Sequence, residues 1–458
     1  MSLAEILCRG TSFAITLMLF KSLGEANYGR IDFPFNVVFW LVLIVRDSFE
    51  GIVVRELARH PRLVRPLVNH VLAVKGLLAL GLFAGLAVVG GLTISSPTDR
   101  AILSLYGLLL LTTALGLDFV FRGTERMGLV AVSLCIRTLV YAGGVWFWVH
   151  DASRVVWVPA WLALGEFCGI GLVWYRYSRQ YGLPRPVFGL RFLRVFLRRG
   201  RSVCLIQLSQ TVIGSADLIV VGLLSALADV GRYGATHRLV AVFLTFGLIF
   251  QQVTFPMLAR SWRQSPVLGR ASLNGLIQVL TIGLVPIAVG GTVLAGPLIR
   301  FLLPGHSEHA GLLLALGIWR APLMTLAFLY QTTLIAANRE SSGVRLLLTG
   351  AVVSVPLVGG FCGAFGPPGA LVGVLLIALG LIVAGYGSLA REGRQPAWHH
   401  HLARPVLASI AMVPACLVLT RWHVLLAVAG GAAVYLSALA ALGGLRLCQI
   451  RAILAPGK

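Results

Sequence analysis

Polar and charged side chains recur at helical spacing within stretches of the sequence that are otherwise apolar. In the first stretch, one stripe of a helix would carry Glu5, Arg9, Ser12 and Thr16. In the second, a similar stripe would carry Asp32, Asn36, Arg46 and Glu50, with Asp47 one position to the side. A guanidinium keeps its proton and forms paired hydrogen bonds with phosphate or carboxylate groups. The stripes therefore predict a site that binds an anion.

The pattern returns in the second half of the chain. One stretch places several polar positions on a single helix face: Gln207, Gln210, Thr211, Gly214 and Asp217. The next repeats polar side chains every seven residues, at Arg238, Thr245 and Gln252. Because the stripes occupy the first two apolar stretches of each half, we expect these four helices to line one hydrophilic cavity.

Helices that cross a membrane must position these stripes. Hydrophobic residues make up 58% of the 458 residues, charged residues only 12%, and the mean hydropathy is +0.88. A soluble chain could not bury that much apolar surface, whereas roughly 20 apolar residues suffice for one transmembrane helix. We predict an all-α polytopic membrane protein with about fourteen spans: 3–21, 34–54, 67–93, 101–121, 128–149, 155–175, 202–224, 234–258, 272–298, 310–336, 344–364, 368–389, 402–420 and 422–444.

Charges inside these spans are costly, at about 2.5–3.5 kcal/mol at the bilayer centre, so they should face an interior or a wet cavity. We predict substrate-binding roles for Arg9, Arg46, Arg238, Asn36, Gln207, Gln210 and Thr245. The candidates for binding a coupling proton or sodium ion are Glu5, Asp47 and Asp217, although carboxylates could also simply neutralise the arginines. For Arg137, Asp118 and Glu166 we favour structural ion pairs between helices. Lys75 either faces the cavity or extends to the cytoplasmic surface.

Basic residues crowd every second loop if the N-terminus lies in the cytoplasm. Cytoplasmic loops of membrane proteins collect Lys and Arg, which accounts for the formal charge of +22 without nucleic acid as a partner. We therefore predict a multi-pass protein of the bacterial inner membrane with both termini in the cytoplasm. The seven cysteines and the triplet His399–His401 lack metal-type spacing, and no phosphate loop or nucleophile elbow occurs. We expect no metal, no cofactor and no enzymatic activity.

The longest hydrophilic stretch divides the sequence. We predict an N-terminal six-helix lobe over 1–175 and a basic cytoplasmic linker with an amphipathic interfacial helix over 176–201. A second six-helix lobe would cover 202–389, and two additional helices with a cytoplasmic tail would cover 390–458. A Tyr-Gly pair and a Leu-Ala-Arg triplet recur in the same order in both halves. This recurrence favours two lobes related by a pseudo-two-fold axis.

Motifs beside these spans resemble those of polysaccharide transporters of the Wzx type. Residues 23–29 read Leu-Gly-x-x-x-Tyr-Gly and residues 55–59 read Arg-Glu-Leu-Ala-Arg. In the second half, residues 230–235 read Val-Gly-Arg-Tyr-Gly-Ala and residues 256–260 read Pro-Met-Leu-Ala-Arg. The superfamily of these transporters also includes multidrug exporters and the lipid II flippase.

The resemblance implies alternating access through a cationic central cavity. The cargo would be a polyprenyl-pyrophosphate-linked oligosaccharide, moved from the cytoplasmic to the outer leaflet for synthesis of O-antigen or exopolysaccharide. The lipid II flippase carries essential arginines in the corresponding spans, which supports Arg9, Arg46 and Arg238 as ligands of the pyrophosphate. The last two spans would form a groove for the lipid tail or serve as lipid-facing packing helices. Expected partners are this glycan, membrane lipids, and the polysaccharide polymerase and chain-length machinery, with the chain itself a monomer.

Two other classes stay open from the sequence. A multidrug or other small-molecule exporter of the same superfamily would need an acidic, aromatic cavity, and the intramembrane arginines argue against it. A membrane-embedded glycan polymerase or ligase would carry a large outer loop with catalytic residues. The longest outer loop predicted here, around Leu303 to His309, is short.

Overall fold

The structure is a computed structural model and describes residues 2–302, 308–391, 396 and 398–443. Throughout this part of the chain the secondary structure is helical, and no strand occurs in it. The α-helices are α1 (Ser2–Arg59), α2 (Val64–Thr93), α3 (Pro97–Leu115), α4 (Asp118–Gly123), α5 (Met127–Trp148), α6 (Trp157–Tyr181), α7 (Leu190–Leu224), α8 (Leu227–Gln264), α9 (Pro266–Val293), α10 (Ala295–Leu302), α11 (Glu308–Gly317), α12 (Arg320–Ala336), α13 (Glu340–Ala390), α14 (Trp398–Leu419) and α15 (Val424–Ala441). The predicted all-α fold is confirmed. The outer loop expected around Leu303 to His309 and the tail beyond residue 443 lie largely outside the described residues.

Two helices are too long to cross a membrane once. The 58 residues of α1 would extend about 87 Å as a straight helix, against a hydrocarbon core of about 30 Å. Gly24 breaks α1 with a left-handed φ of 77°, and Gly366 breaks α13 with a φ of 66° just before Pro367 and Pro368. The described residues hold twelve apolar stretches of membrane-spanning length. Counting α1 and α13 as two spans each gives fourteen, as predicted.

The chain divides into two compact units, Met1–Gly234 and Ala235–Lys458. In the first unit a buried apolar core joins five helices through Leu57, Val68, Phe119, Val130 and Val173. Helix α7 begins within the predicted basic linker and continues without interruption into the seventh span. The assignment of 190–201 to the membrane surface, and the two-fold relation of the lobes, stay predictions.

The two motif segments pack directly against each other in the first unit. A Cβ on Gly29 would lie 2.0 Å from the carbonyl oxygen of Leu227, and one on Gly231 would lie 2.1 Å from that of Glu25. Arg232 reinforces the contact through an ion pair of 3.2 Å with Glu25. Because no other residue permits such an approach of two backbones, the packing explains why glycine occupies both motif positions.

Helices α1 and α7 of the first unit run side by side in opposite directions. The ring of Phe33 fills the space where a Cβ of Gly222 would lie. Seven residues further along α1, the indole nitrogen of Trp40 donates a hydrogen bond of 2.7 Å to the hydroxyl of Ser215, seven residues earlier on α7. Equal steps in opposite directions along the two helices show an antiparallel register, which places later residues of α1 level with earlier residues of α7.

In the second unit α9 packs against α14 and α15. The hydroxyl of Tyr435 on α15 donates a hydrogen bond of 2.7 Å to the carbonyl oxygen of Ile282 on α9. A cavity of about 460 Å³ lies beside this contact and is lined mostly by apolar side chains, among them Phe243, Ile287 and Met412. The last two spans therefore form one wall of an apolar cavity within their own unit.

Candidate functional site

The antiparallel register of α1 and α7 brings several predicted residues to one level. Six residues after Trp40 on α1, the register reaches Arg46. Six residues before Ser215 on α7, it reaches Ser209, so Arg46 lies level with Ser209 and Gln210. Arg46 and Gln210 are both half-buried. Gln207 is also half-buried and lies about one turn from Gln210 on the same helix. The register therefore places Arg46 at the same level as these amide side chains of α7, and their joint role in binding stays a prediction.

Two buried carboxylates lie farther along the same pair of helices. The Asn36 amide donates to the Asp32 carboxylate at 2.9 Å and to the Asp32 carbonyl oxygen at 2.8 Å. Asp217 is fully buried and accepts a hydrogen bond of 2.5 Å from the hydroxyl of Tyr233. Gly234 approaches Asp32 so closely that a Cβ would overlap its carboxylate. The Tyr-Gly pair of the second motif therefore contacts both acids, which the sequence motif alone did not indicate.

A cluster of ion pairs surrounds the end of α1 that follows Arg46. The Lys75 ammonium lies 3.3 Å from one oxygen of Glu50, and the Arg122 guanidinium lies 3.4 Å from the other. Lys75 is fully buried, with its nitrogen 5.4 Å from the centre of the Phe119 ring. Lys75 thus does not extend to the membrane surface, one of the two predicted alternatives. The carboxylate of Glu50 and the ring of Phe119 hold it inside the unit.

The predicted ion pairs of Arg137 are confirmed. Its guanidinium lies 2.7 Å from Asp118 and 3.0 Å from Glu166, and so joins α4, α5 and α6. A forked guanidinium between two carboxylates uses donors on two separate nitrogens. Burying a charge inside the membrane is tolerated when it is paired in this way.

The described part of this cluster combines basic and acidic side chains. Three cations face three carboxylates in the ion pairs: Lys75, Arg122 and Arg137 against Glu50, Asp118 and Glu166. Arg46 adds a fourth cation, within electrostatic range of Lys75 and Glu166. Four basic side chains thus lie near this end of α1, where the sequence predicts an anion-binding site. The side chains of Glu5 and Asp47 lie outside the described residues.

A second cationic group lies in the other unit. Arg320 of α12 is only 1% exposed, and its Nη1 lies 3.1 Å from Nδ1 of His237, next to Arg238 on α8. Acidic residues are scarce in this half of the sequence: Glu308, Glu340 and Glu392. Arg320 was not among the site residues predicted from the sequence. The scarcity of acidic residues in the second half of the sequence was the signal that could have pointed to Arg320.

The remaining predicted residues occupy varied surroundings. Arg9 is exposed on α1, and Arg238 is half-buried on α8. Thr245 is half-buried, and its hydroxyl donates to the carbonyl oxygen of Ala241, one turn earlier on the same helix, at 2.9 Å. A threonine bonded in this way keeps acceptor capacity on its oxygen. The predicted substrate-binding and ion-coupling roles of all these residues stay predictions.

The fold is shared with transporters of known structure. The lipid II flippase MurJ in an inward closed conformation matches with a TM-score of 0.76 over 96% of this chain and 98% of that chain, at 14% identity. A multidrug resistance MATE family transporter of the MOP superfamily, in an inward-facing conformation, matches with a TM-score of 0.67 over 84% and 96%, at 12% identity. The Vibrio cholerae MATE transporter VcmN in its bent form matches with a TM-score of 0.51 over 86% and 98%, at 14% identity. These identities establish a common fold.

The helical stretches indicate a multi-pass membrane protein, and its fold is that of these transporters and of the flippase. Residues 1–262, more than half of the chain, match the family described as polysaccharide biosynthesis protein. The chain belongs to this family, which confirms the resemblance drawn from the motifs. No curated protein matches the chain.

Proposed function

We propose that the protein flips a polyprenyl-pyrophosphate-linked oligosaccharide from the cytoplasmic to the outer leaflet by alternating access, for the synthesis of a cell-surface polysaccharide. The observation that carries the proposal is the set of cationic side chains near one end of α1, where Lys75, Arg122 and Arg137 form ion pairs in the surroundings of Arg46. A pyrophosphate linker is strongly anionic, and guanidinium groups bind phosphate through paired, charge-assisted hydrogen bonds. Membership in the polysaccharide biosynthesis protein family supports a glycan as the rest of the cargo.

The apolar cavity of the second unit supports a site for the lipid tail. Its lining includes Phe243, Ile287 and Met412, with Tyr435 hydrogen-bonded to the backbone beside it. An apolar chain gains about 0.8 kcal/mol for each CH₂ group moved from water into such a site. In the bilayer the gain is smaller, so the cavity would guide the tail rather than anchor it. The polysaccharide polymerase and chain-length machinery remain proposed partners.

The direction of transport follows from the charge of the cargo. With the cell interior negative, each negative charge that moves outward gains about 2.3 kcal/mol per 100 mV. Outward movement of a pyrophosphate-linked lipid is thus favoured by the potential, and ion coupling would act on the return of the empty protein. Asp217, bonded to Tyr233 of the second motif, is our first candidate for the coupling site, with Glu5 and Asp47 as further candidates.

Binding tests the proposed cargo class. We expect purified protein in nanodiscs to bind a polyprenyl pyrophosphate at least about a hundredfold more tightly than the corresponding polyprenyl alcohol, since two charge-assisted hydrogen bonds contribute about 1.5–3 kcal/mol each. A cationic dye should not compete with the pyrophosphate lipid. Equal affinity for the alcohol and the pyrophosphate would refute anion recognition, and competition by the dye would favour the multidrug exporter that shares the fold.

We also propose that the protein resides in the bacterial inner membrane with both termini and residues 176–201 in the cytoplasm. Arg185 and Ala152 lie in loops at opposite ends of α6 and provide matched reporters. In a variant lacking native cysteines, an impermeant maleimide added to intact cells should label Ala152→Cys and leave Arg185→Cys unlabelled. Labelling of Arg185→Cys alone would reverse the topology and, with it, the proposed direction of transport.

A further inference from the structure

A groove of about 430 Å³ lies between α5 and α6 of the first unit, where α5 begins and α6 ends. Its rim carries polar side chains: Arg126, Arg176 and Gln180. Its wall carries apolar side chains: Leu129, Val132 and Leu172. These residues belong neither to the polar stripes nor to the cluster around Arg46. A volume of this size is typical of small-molecule sites.

The groove lies at the depth of the lipid headgroups. The 22 residues of α5 extend about 33 Å, close to the hydrocarbon thickness of about 30 Å. At the other end of the α5–α6 hairpin, Trp146, Trp148 and Trp157 are exposed, as expected of an aromatic belt at a membrane interface. Arg126 and Arg176 therefore lie at the opposite interface, which is that of the inner leaflet in the proposed topology.

The apolar wall of the groove faces away from the charged interior of the unit. Val132 and Leu139 on α5 are 51% and 66% exposed. At 100° per residue, both lie at least about 140° around the helix from Arg137, which points into the ion-pair cluster. The wall below the rim is thus continuous with an exposed apolar helix face, which is suited to an acyl chain.

The rim offers two guanidinium groups, of Arg126 and Arg176. Arg126 donates a hydrogen bond of 2.6 Å to the side-chain oxygen of Gln180, and this bond links α5 to α6. Arg176 lies one helical turn from Gln180, so the two arginines flank the same end of the groove. No ion pair among the described residues involves Arg126 or Arg176. Their charges are available to an anion at the membrane surface.

We propose that this groove is a binding site for an anionic glycerophospholipid of the inner leaflet. The phosphate headgroup binds Arg126 and Arg176, and one acyl chain lies along Val132 and Leu172. The cationic rim matches the negative headgroup, and the apolar wall matches the chain. The site lies apart from the proposed cargo site and does not depend on it.

Native mass spectrometry of the full chain in detergent tests this proposal, with phosphatidylglycerol as the probe. Each basic residue near a membrane surface contributes a factor of about five in binding. The R126Q/R176Q variant should therefore bind phosphatidylglycerol about thirtyfold more weakly than the unmodified chain. Val132→Trp, which keeps every charge but fills the apolar wall, should weaken binding as well. The matched control is R260Q/R263Q, which removes two exposed arginines from the end of α8 and should leave this site intact.

Further ligands in the same experiment distinguish a phospholipid from other anions and from neutral lipids. Phosphatidylcholine and diacylglycerol, which lack a net negative headgroup, should bind weakly and equally to all variants. Inorganic phosphate should not displace phosphatidylglycerol at equal concentration. The proposal is overturned if R126Q/R176Q binds like the unmodified chain, if R260Q/R263Q loses as much affinity, or if phosphate alone competes fully.

Discussion

Replacing Arg46 by alanine will lower glycan-lipid translocation at least about a hundredfold while the protein still inserts in the membrane. The cargo loses two charge-assisted hydrogen bonds worth about 1.5–3 kcal/mol each. Insertion should not suffer, because removing a charge from a span lowers the cost of burying it. Arg46→Lys should restore activity only in part, since an ammonium keeps the charge but lacks the planar fork. Translocation in proteoliposomes, normalised to the amount of inserted protein, provides the measurement.

A purely structural role for Arg46 makes a different prediction. Glu50 is held by Lys75 and Arg122, so the carboxylate to test against Arg46 is Glu166, which lies within its electrostatic range. If Arg46 only offsets Glu166, Arg46→Ala should lower the melting temperature and R46A/E166Q should recover full translocation. If Arg46 binds cargo, the double variant stays inactive even though E166Q alone, which removes one of the two ionised partners of Arg137, keeps its activity. Full recovery would remove Arg46 from the substrate site.

The second large effect concerns stability. Glu50→Gln leaves the fully buried Lys75 without its ionised partner, and breaking a buried pair from one side costs about 3–5 kcal/mol. We expect a large fall in the melting temperature of the purified protein. Replacing both partners, as K75M/E50Q, should recover most of the loss because no buried charge remains.

Arg122→Gln serves as the control for this prediction. Arg122 contacts the same carboxylate but is 38% exposed, and exposed ion pairs contribute at most about 1 kcal/mol. Its melting temperature should change little. If Glu50→Gln proves no more harmful than Arg122→Gln, then Lys75 does not depend on Glu50 for its burial.

Much of the fold was predictable because the bilayer constrains the sequence so strongly. Hydropathy gave the number of spans, and the high cost of unpaired charge in hydrocarbon predicted that Arg137 would pair with Asp118 and Glu166. The break within α1 was located between two predicted spans. Its basis, the left-handed backbone of Gly24, emerged only from the structure.

The contacts within the site were harder to predict because they join residues that are distant in sequence. Lys75 is buried since α1 brings Glu50 to it from 25 residues away, and spacing along α2 carries no trace of that partner. The contact of Tyr233 with Asp217 likewise depends on how α8 starts against α7. By contrast, the bond between Asn36 and Asp32 follows from their four-residue spacing on one helix and was accessible from the sequence.

The central claim is that this chain moves an anionic lipid-linked glycan. Its most direct test is a proteoliposome assay with a fluorescent polyprenyl-pyrophosphate oligosaccharide, in which an impermeant quencher reports the leaflet that holds the label. We predict protein-dependent exchange of the glycan between leaflets, faster under a potential that is negative on the cytoplasmic side, and no accumulation of a cationic dye under the same conditions. Robust dye transport without movement of the glycan lipid would contradict the account.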